Sequence, residues 1–227
     1  MNYLIIPLLL TSFFFLSKPK PRIEKIPPKV IDLDNQILAF PRIQIKDFGQ
    51  KAPMIVVIPG RNATELQLQN TIPTDLKARV FFLRSEKPKR LFFEPRLKYN
   101  EEIVAPALKS AGKEVEEGIA KLLKLYPTNN LIVYGFSAGG ALALTYVMAF
   151  SGSLPSTLYP SEKNNTKILI WHGNLDTVVP YELGLNTAKA FEDVGFYTRF
   201  KEKKNSHILP PKEVVKEYFE ISLLDLA

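Results

Sequence analysis

Apolar positions along this chain fall mainly into short runs, and the stretches between them carry helical spacing or turn formers. Met54-Ile55-Val56-Val57-Ile58, Arg79-Val80-Phe81-Phe82-Leu83, Leu131-Ile132-Val133-Tyr134 and Lys167-Ile168-Leu169-Ile170-Trp171 are rich in β-branched and aromatic side chains and read as strands. Tyr197 to Lys201 reads as a further strand, and Met148-Ala149-Phe150-Ser151 as a candidate one. Ile37-Leu38-Ala39-Phe40 with Ile43-Gln44-Ile45 suggests an early hairpin arm, which Pro41 places near a sheet edge. From Glu101 to Tyr126 apolar residues recur near helical spacing, with acids early and lysines late, until Pro127 ends the pattern. Leu185 to Val194 and Glu213 to Leu224 repeat that amphipathic pattern. Strands alternating with helices predict an α/β fold whose central sheet is mainly parallel, with helices on both faces. No internal repeat is visible.

One spacing is tight. Only about ten residues separate Gly140 from the candidate strand at Met148, whereas a crossover between parallel strands normally takes a dozen or more. The intervening helix is therefore expected to be short, or the next strand displaced. Residues 152–166 combine turn formers with little periodicity and read as a loop.

At the N-terminus, Leu4 to Leu16 is apolar apart from Pro7 and Thr11-Ser12, which is shorter than the ~20 residues of a comfortable membrane span. Lys18, Lys20, Arg22, Lys25 and Lys29 follow among several prolines, the composition of an extended basic linker. The expected organisation is an anchor or signal-like segment over 1–17, a linker over 18–29 and a catalytic domain over 30–227. That domain, about 200 residues long, is large enough for one substantial core. The apolar segment makes the protein, as an expectation, membrane-associated or exported, with its orientation open.

Composition narrows the partners. The formal net charge is +7, part of it from the linker. No interleaving of basic and aromatic residues marks a single-strand groove, so nucleic acid is not expected, and an anionic membrane surface suits the charge better. The chain has no cysteine, which excludes thiol nucleophiles, disulfides and cysteine-based zinc sites. Neither a metal nor another cofactor is expected.

Chemistry concentrates in three stretches, Gly135-Phe136-Ser137-Ala138-Gly139, Trp171-His172-Gly173-Asn174-Leu175-Asp176 and Asn205-Ser206-His207. A Gly-x-Ser-x-Gly turn between strand and helix exposes a serine nucleophile, and the order serine, acid, histidine is that of the α/β-hydrolases. Serine needs a neighbouring base, and His207 is the candidate, with Asp176 orienting its imidazole. The chain has two histidines, and both lie in these stretches. His172 closes a strand and reads as a structural histidine bonding nearby loops.

The run from Ile168 through Trp171-His172-Gly173-Asn174-Leu175-Asp176-Thr177-Val178-Val179-Pro180 to Ser206-His207-Ile208, with the Gly-Phe-Ser-x-Gly-Gly elbow before it, resembles the phospholipase/carboxylesterase family. The resemblance is most specific over 131–145 and 168–210. It implies an α/β-hydrolase fold, shortened after the elbow, and a serine esterase that hydrolyses carboxylic or thioesters without a metal. Its substrate would be a small-molecule, lipid or glycan acyl ester. Members usually carry His-Gly after the third strand, where this chain has Pro59-Gly60-Arg61-Asn62. By that resemblance the backbone N–H groups of Arg61 and Ala138 would form the oxyanion hole. The altered corner keeps a second reading open: a binding protein with this fold and a defective oxyanion hole, since one lost donor costs about 10²–10³ in rate.

Overall fold

The computed structural model describes residues 31–34, 37–39, 53–61, 63–83, 101–144 and 148–224. The apolar segment at 1–17, the linker at 18–29, the Ile43-Gln44-Ile45 arm and Asn62 lie outside the described residues.

Eight strands form one sheet: β1 (Ile31–Asp34), β2 (Ile37–Ala39), β3 (Met54–Ile58), β4 (Arg79–Leu83), β5 (Leu131–Phe136), β6 (Met148–Phe150), β7 (Lys167–Gly173) and β8 (Tyr197–Lys203). Their order across the sheet is β1-β2-β4-β3-β5-β6-β7-β8. From β4 to β8 every neighbouring pair is parallel. The first two strands form an antiparallel hairpin, and β2 runs antiparallel to β4, so the Ile37–Ala39 part of the expected arm does lie in a hairpin toward one side of the sheet. Within the described residues the partner of β2 in that hairpin is the preceding segment Ile31–Asp34, which short length and two aspartates hid from the pattern.

The helices are α1 (Glu65–Gln69), α2 (Glu101–Leu125), α3 (Ala138–Ala143), α4 (Tyr181–Val194) and α5 (Lys212–Leu223). Alternation along the strands sorts them onto two faces. Ile55, Val57, Val80, Phe82, Ile132, Tyr134, Phe150 and Trp171 pack with Leu68 of α1 and with Val215, Tyr218 and Phe219 of α5. The opposite positions, Met54, Val56, Ile58, Phe81, Leu83 and Val133, pack under α2 and α3, while Ile168 and Ile170 meet Ala188 and Phe191 of α4. Both sheet faces are thus covered, as strand-helix alternation requires. Phe150 stacks on Tyr218 at 5.6 Å and meets Tyr134 edge-on at 4.8 Å, contacts that each add about 0.5–1.5 kcal/mol beyond area burial. The hydroxyl of Tyr218 donates to Ile170 O at 2.7 Å, so the cluster buries it with a partner. Lys167, at the start of β7, turns its buried ammonium onto the carbonyls of Ile221 and Ser222 and so caps the last turn of α5.

The tight crossover resolves through a short helix. α3 has six residues, and β6 still pairs in parallel with β5 on one side and β7 on the other. Within the 152–166 loop, one turn of 3₁₀ helix occupies Ser156–Leu158, tied by the Ser156 hydroxyl and N–H to the carboxylate of Glu101.

The membrane-associated or exported placement is corrected. Among the described residues no helix is long and apolar enough to cross a membrane. The 25 residues of α2 would reach about 37 Å, but they are amphipathic and carry charges such as Glu114, Glu116, Glu117 and Lys121 along the solvent side.

Candidate active site

β5 runs into the serine turn with almost no free space. An added side-chain carbon on Gly135 would lie 1.9 Å from Gly139 O, and one on Gly139 would lie 2.1 Å from Ile58 O. Only residues lacking Cβ permit this approach, so strand, turn and helix are locked by backbone sterics. Ser137 sits at the apex with φ 55° and ψ −120°, an unfavourable conformation for a residue with a side chain. Its N–H donates to Phe150 O at 2.8 Å, and its carbonyl accepts from Ala141 N–H at 3.0 Å. Those bonds hold the strained residue between β6 and α3.

The β3–α1 turn closes against the same point. A Cβ on Gly60 would lie 2.9 Å from the Ser137 Cβ and 2.5 Å from Phe136 O. Arg61 follows and is exposed, and Ala63 N–H closes the turn onto Gly60 O. Ala138 opens α3, where a backbone N–H has no intrahelical acceptor. The two N–H groups expected to bind an oxyanion thus belong to turns that meet at Ser137. α1 is fixed by a Thr64/Gln67 capping box. Its far end is tied to β5 by Thr71, whose hydroxyl pairs with Tyr134 Oη at 2.6 Å and Leu68 O at 2.7 Å. Thr64-Glu65-Leu66-Gln67 already carries that capping signature in the sequence.

Asp176 and His207 come together from the β7 and β8 ends of the sheet. His207 Nδ1 lies 2.7 Å from Asp176 Oδ2, with the carboxylate fully buried and the imidazole 15% exposed. A carboxylate only accepts, so Nδ1 carries the proton and Nε2 keeps the lone pair a base requires. The other carboxylate oxygen, Oδ1, accepts from the N–H groups of Val178 and Val179, both at 2.9 Å. The two loops are laced together: Asn174 N–H donates to Lys203 O and Leu175 N–H to Asn205 O.

Phe136 links the halves. Its ring, one residue before the serine, lies 5.0 Å from the His207 imidazole. Among the described residues no hydrogen bond joins Ser137 to His207. Such contacts often tighten only when substrate binds. The close approach of Gly60 to Ser137, the Phe136 ring beside His207 and the N–H bonds of Val178 and Val179 to Asp176 escaped the sequence reading, because they depend on close approach or on backbone N–H groups, not on side-chain type.

His172 is fully buried, and its Nε2 lies 2.9 Å from Val179 O, so it does bond a neighbouring loop. Burial holds its pKa below the ordinary imidazole value, against the opposing pull of the Val179 carbonyl and Asp176. Among the described residues no group of three or more His, Asp or Glu side chains gathers as metal ligands.

A family model described as Phospholipase/Carboxylesterase matches residues 92–222. A probable carboxylesterase of Oryza sativa subsp. japonica is 35% identical over 88 residues, 32% of this chain and 37% of that protein, so the match spans little more than a third of the relative. The Bacillus cereus carboxylesterase structure superposes with a TM-score of 0.64 at 18% identity, covering 78% of this chain and 91% of that one. The phospholipase/carboxylesterase structure from Dyadobacter fermentans gives 0.63 at 20% identity, covering 83% and 96%. At such identities the structural likeness speaks for the fold, which is that of the α/β-hydrolases. The family match covers more than half of the chain and includes the serine turn and both loops that meet beside it; this chain belongs to the phospholipase/carboxylesterase family.

Proposed function

We propose that this protein is a serine esterase that cleaves carboxylic esters through an acyl-enzyme. The observation that carries the reading is the 2.7 Å bond between His207 and a buried Asp176, set beside a strained Ser137. In the first half-reaction the Ser137 hydroxyl attacks the ester carbonyl and its proton passes to His207 Nε2 as the Oγ–C bond forms. Collapse of the tetrahedral species breaks the bond to the leaving alcohol, which takes the proton from His207. Water then attacks the acyl-serine, His207 takes a proton from it, and release of the acid returns that proton to Ser137. Asp176 stabilises the imidazolium in each half. The N–H groups of Arg61 and Ala138 receive the oxyanion, and such donors are worth about 10²–10³ each in rate.

The side chains around the acid and base favour an apolar substrate group. Leu175 is 55% exposed, Val178 64% and Ile208 45%, and all three flank Asp176 or His207 in sequence. Esters with an alkyl acyl chain can cover these surfaces on binding, so short to medium acyl chains are the substrate class that fits.

The test is fluorophosphonate labelling of the full chain, followed by hydrolysis of p-nitrophenyl esters of increasing acyl length. Labelling at Ser137 with turnover that depends on chain length supports the reading. A folded protein that binds acyl compounds but neither labels nor turns over returns the molecule to the second reading, a hydrolase-fold binding protein with an incompetent oxyanion hole at Pro59-Gly60-Arg61.

A further inference from the structure

The loop that carries Asp176 has little apolar anchoring. Leu175 and Val178 point largely into solvent, and Asp176 is the buried residue between them. What fixes the loop is polar: Asn174 and Leu175 bond the carbonyls of Lys203 and Asn205, Val178 and Val179 bond Asp176, and Val179 is also the residue that His172 reaches. Val179 donates its N–H to Asp176 Oδ1 at 2.9 Å and receives a hydrogen bond on its carbonyl from His172 Nε2, also at 2.9 Å. Pro180 follows and restricts the chain immediately beyond.

His172 reaches that carbonyl from a fully buried position at the end of β7. Its other nitrogen, Nδ1, is buried and has no hydrogen-bond partner among the described residues. It lies against α4 so closely that a side-chain carbon on Gly184 would come within 2.4 Å of it. A proton on Nδ1 would therefore be buried with no acceptor, which costs more than leaving a lone pair there. The proton belongs on Nε2, aimed at Val179 O. The same Nε2 is 3.6 Å from Asp176 Oδ2, too far for a hydrogen bond, so its hold on the carboxylate runs through Val179.

We infer that His172 is a positioning residue for the acid: as a neutral imidazole protonated at Nε2 it grips Val179, and through Val179 it sets the orientation of Asp176 and hence of His207. This rests on the esterase reading for its kinetic consequences but not for its geometry. The titratable groups facing His172 are Asp176 and His207 across the loop and, on α4, Glu182 and the edge-on ring of Tyr181. Burial and His207 oppose a second proton, while the hydrogen bond to the Val179 carbonyl, Asp176 and Glu182 favour it. Burial is the largest of these influences, which keeps the ring neutral. Loss of the Nε2 donor leaves the Val179 carbonyl unpaired and removes the restraint on that end of the acid loop, and a displacement near 1 Å in a catalytic group costs about 10²-fold in rate.

With only two histidines in the chain, the test is direct. ¹⁵N-edited imidazole spectra of the full-length protein give two spin systems, assigned with His172→Gln. The expected result is one ring locked as the Nε2–H tautomer that stays neutral as the pH falls past its ordinary range of about 6.5. A His172 ring protonated at Nδ1, or titrating at the ordinary value, overturns the inference. Kinetics supply the second arm. His172→Gln, whose amide can still donate to Val179 O, is expected to keep kcat within about tenfold. His172→Leu is expected to lose about 10²-fold in kcat with KM nearly unchanged, and to move the acid limb of the kcat/KM profile. Gly184→Ala, which pushes on the ring without altering it, should fall between them, and it replaces His172→Leu if that variant does not fold. A folded His172→Leu or Gly184→Ala protein with the kcat and pH profile of the parent would overturn the positioning role. The His207 signals in a Ser137→Ala background separate the two proposals: if they respond to His172 substitution while the esterase reading fails, positioning stands alone.

Discussion

The two halves of the site are held by different forces. On the serine side, Gly135, Gly139 and Gly60 bring backbone against backbone, so that Ser137 has one available place and one strained conformation. On the acid-base side, position comes from hydrogen bonds: Val178 and Val179 to Asp176, Asp176 to His207, His172 to Val179. Steric constraint is indifferent to pH and fails abruptly when a Cβ is added. A hydrogen-bonded loop yields gradually, and it yields to protonation. Ser137 is thus set as part of the core, while His207 and Asp176 remain adjustable.

Substitutions can break this contrast from either side. Ser137→Ala removes the proposed nucleophile without opening a cavity and should cost on the order of 10⁶ in kcat with the melting temperature preserved, as read from ester turnover and thermal scans. Asp176→Asn leaves the packing nearly intact but favours the wrong imidazole tautomer, so kcat should fall about 10⁴-fold in a normally folded protein. Gly60→Ala introduces a carbon into contact with Phe136 O and Ser137 Cβ. Turnover should drop about 10²–10³-fold as the oxyanion side is pushed out of place, and a variant with parental turnover would mean that this turn is not held as tightly as the contact suggests. Thr71→Val removes the hydroxyl shared by Tyr134 and Leu68 O, and should cost about 1 kcal/mol in denaturant unfolding, with a smaller effect on turnover.

The smallest effect is on the pH dependence of stability. His172 has its folded pKa lowered by burial, so between that value and the ordinary 6.5 the unfolded chain binds more protons than the folded one. Its contribution is fully present above about pH 6.5 and is lost as the pH falls toward the folded value. The parent should therefore melt at lower temperature as the pH drops through this window, and His172→Gln should show a shallower slope over the same range. Equal slopes in the two proteins would remove His172 as the source.

Much of the fold was readable before any coordinates. The strands at 54–58, 79–83 and 167–171 and the helix from Glu101 are strong because buried strands and amphipathic helices must repeat their apolar positions with fixed periods. What was weak was short: Ile31–Asp34 has four residues with two aspartates, and α1 has five residues whose only clear signal is its cap. The Gly-x-Ser-x-Gly turn and the pairing of Asp176 with His207 were legible too, since both rest on side chains of particular types. The apolar run at 1–17 misled the expectation about placement, because hydrophobicity alone does not say what a segment does.

The amino-acid sequence by itself determined which residues are candidates for the chemistry: one serine between two closely packed glycines, one histidine after it in a loop, one acid ahead of a Val-Val-Pro turn. It could not decide their partners. That Gly60 presses on Ser137, that Phe136 lies beside His207, and that Val179 is shared between His172 and Asp176 are relations between segments far apart in the chain or between backbone groups that every residue possesses. A backbone N–H or carbonyl has no signature in the sequence, and an ångström of approach has none either. Only the closing of the sheet, with its helices packed on both faces, assigned those groups to one another.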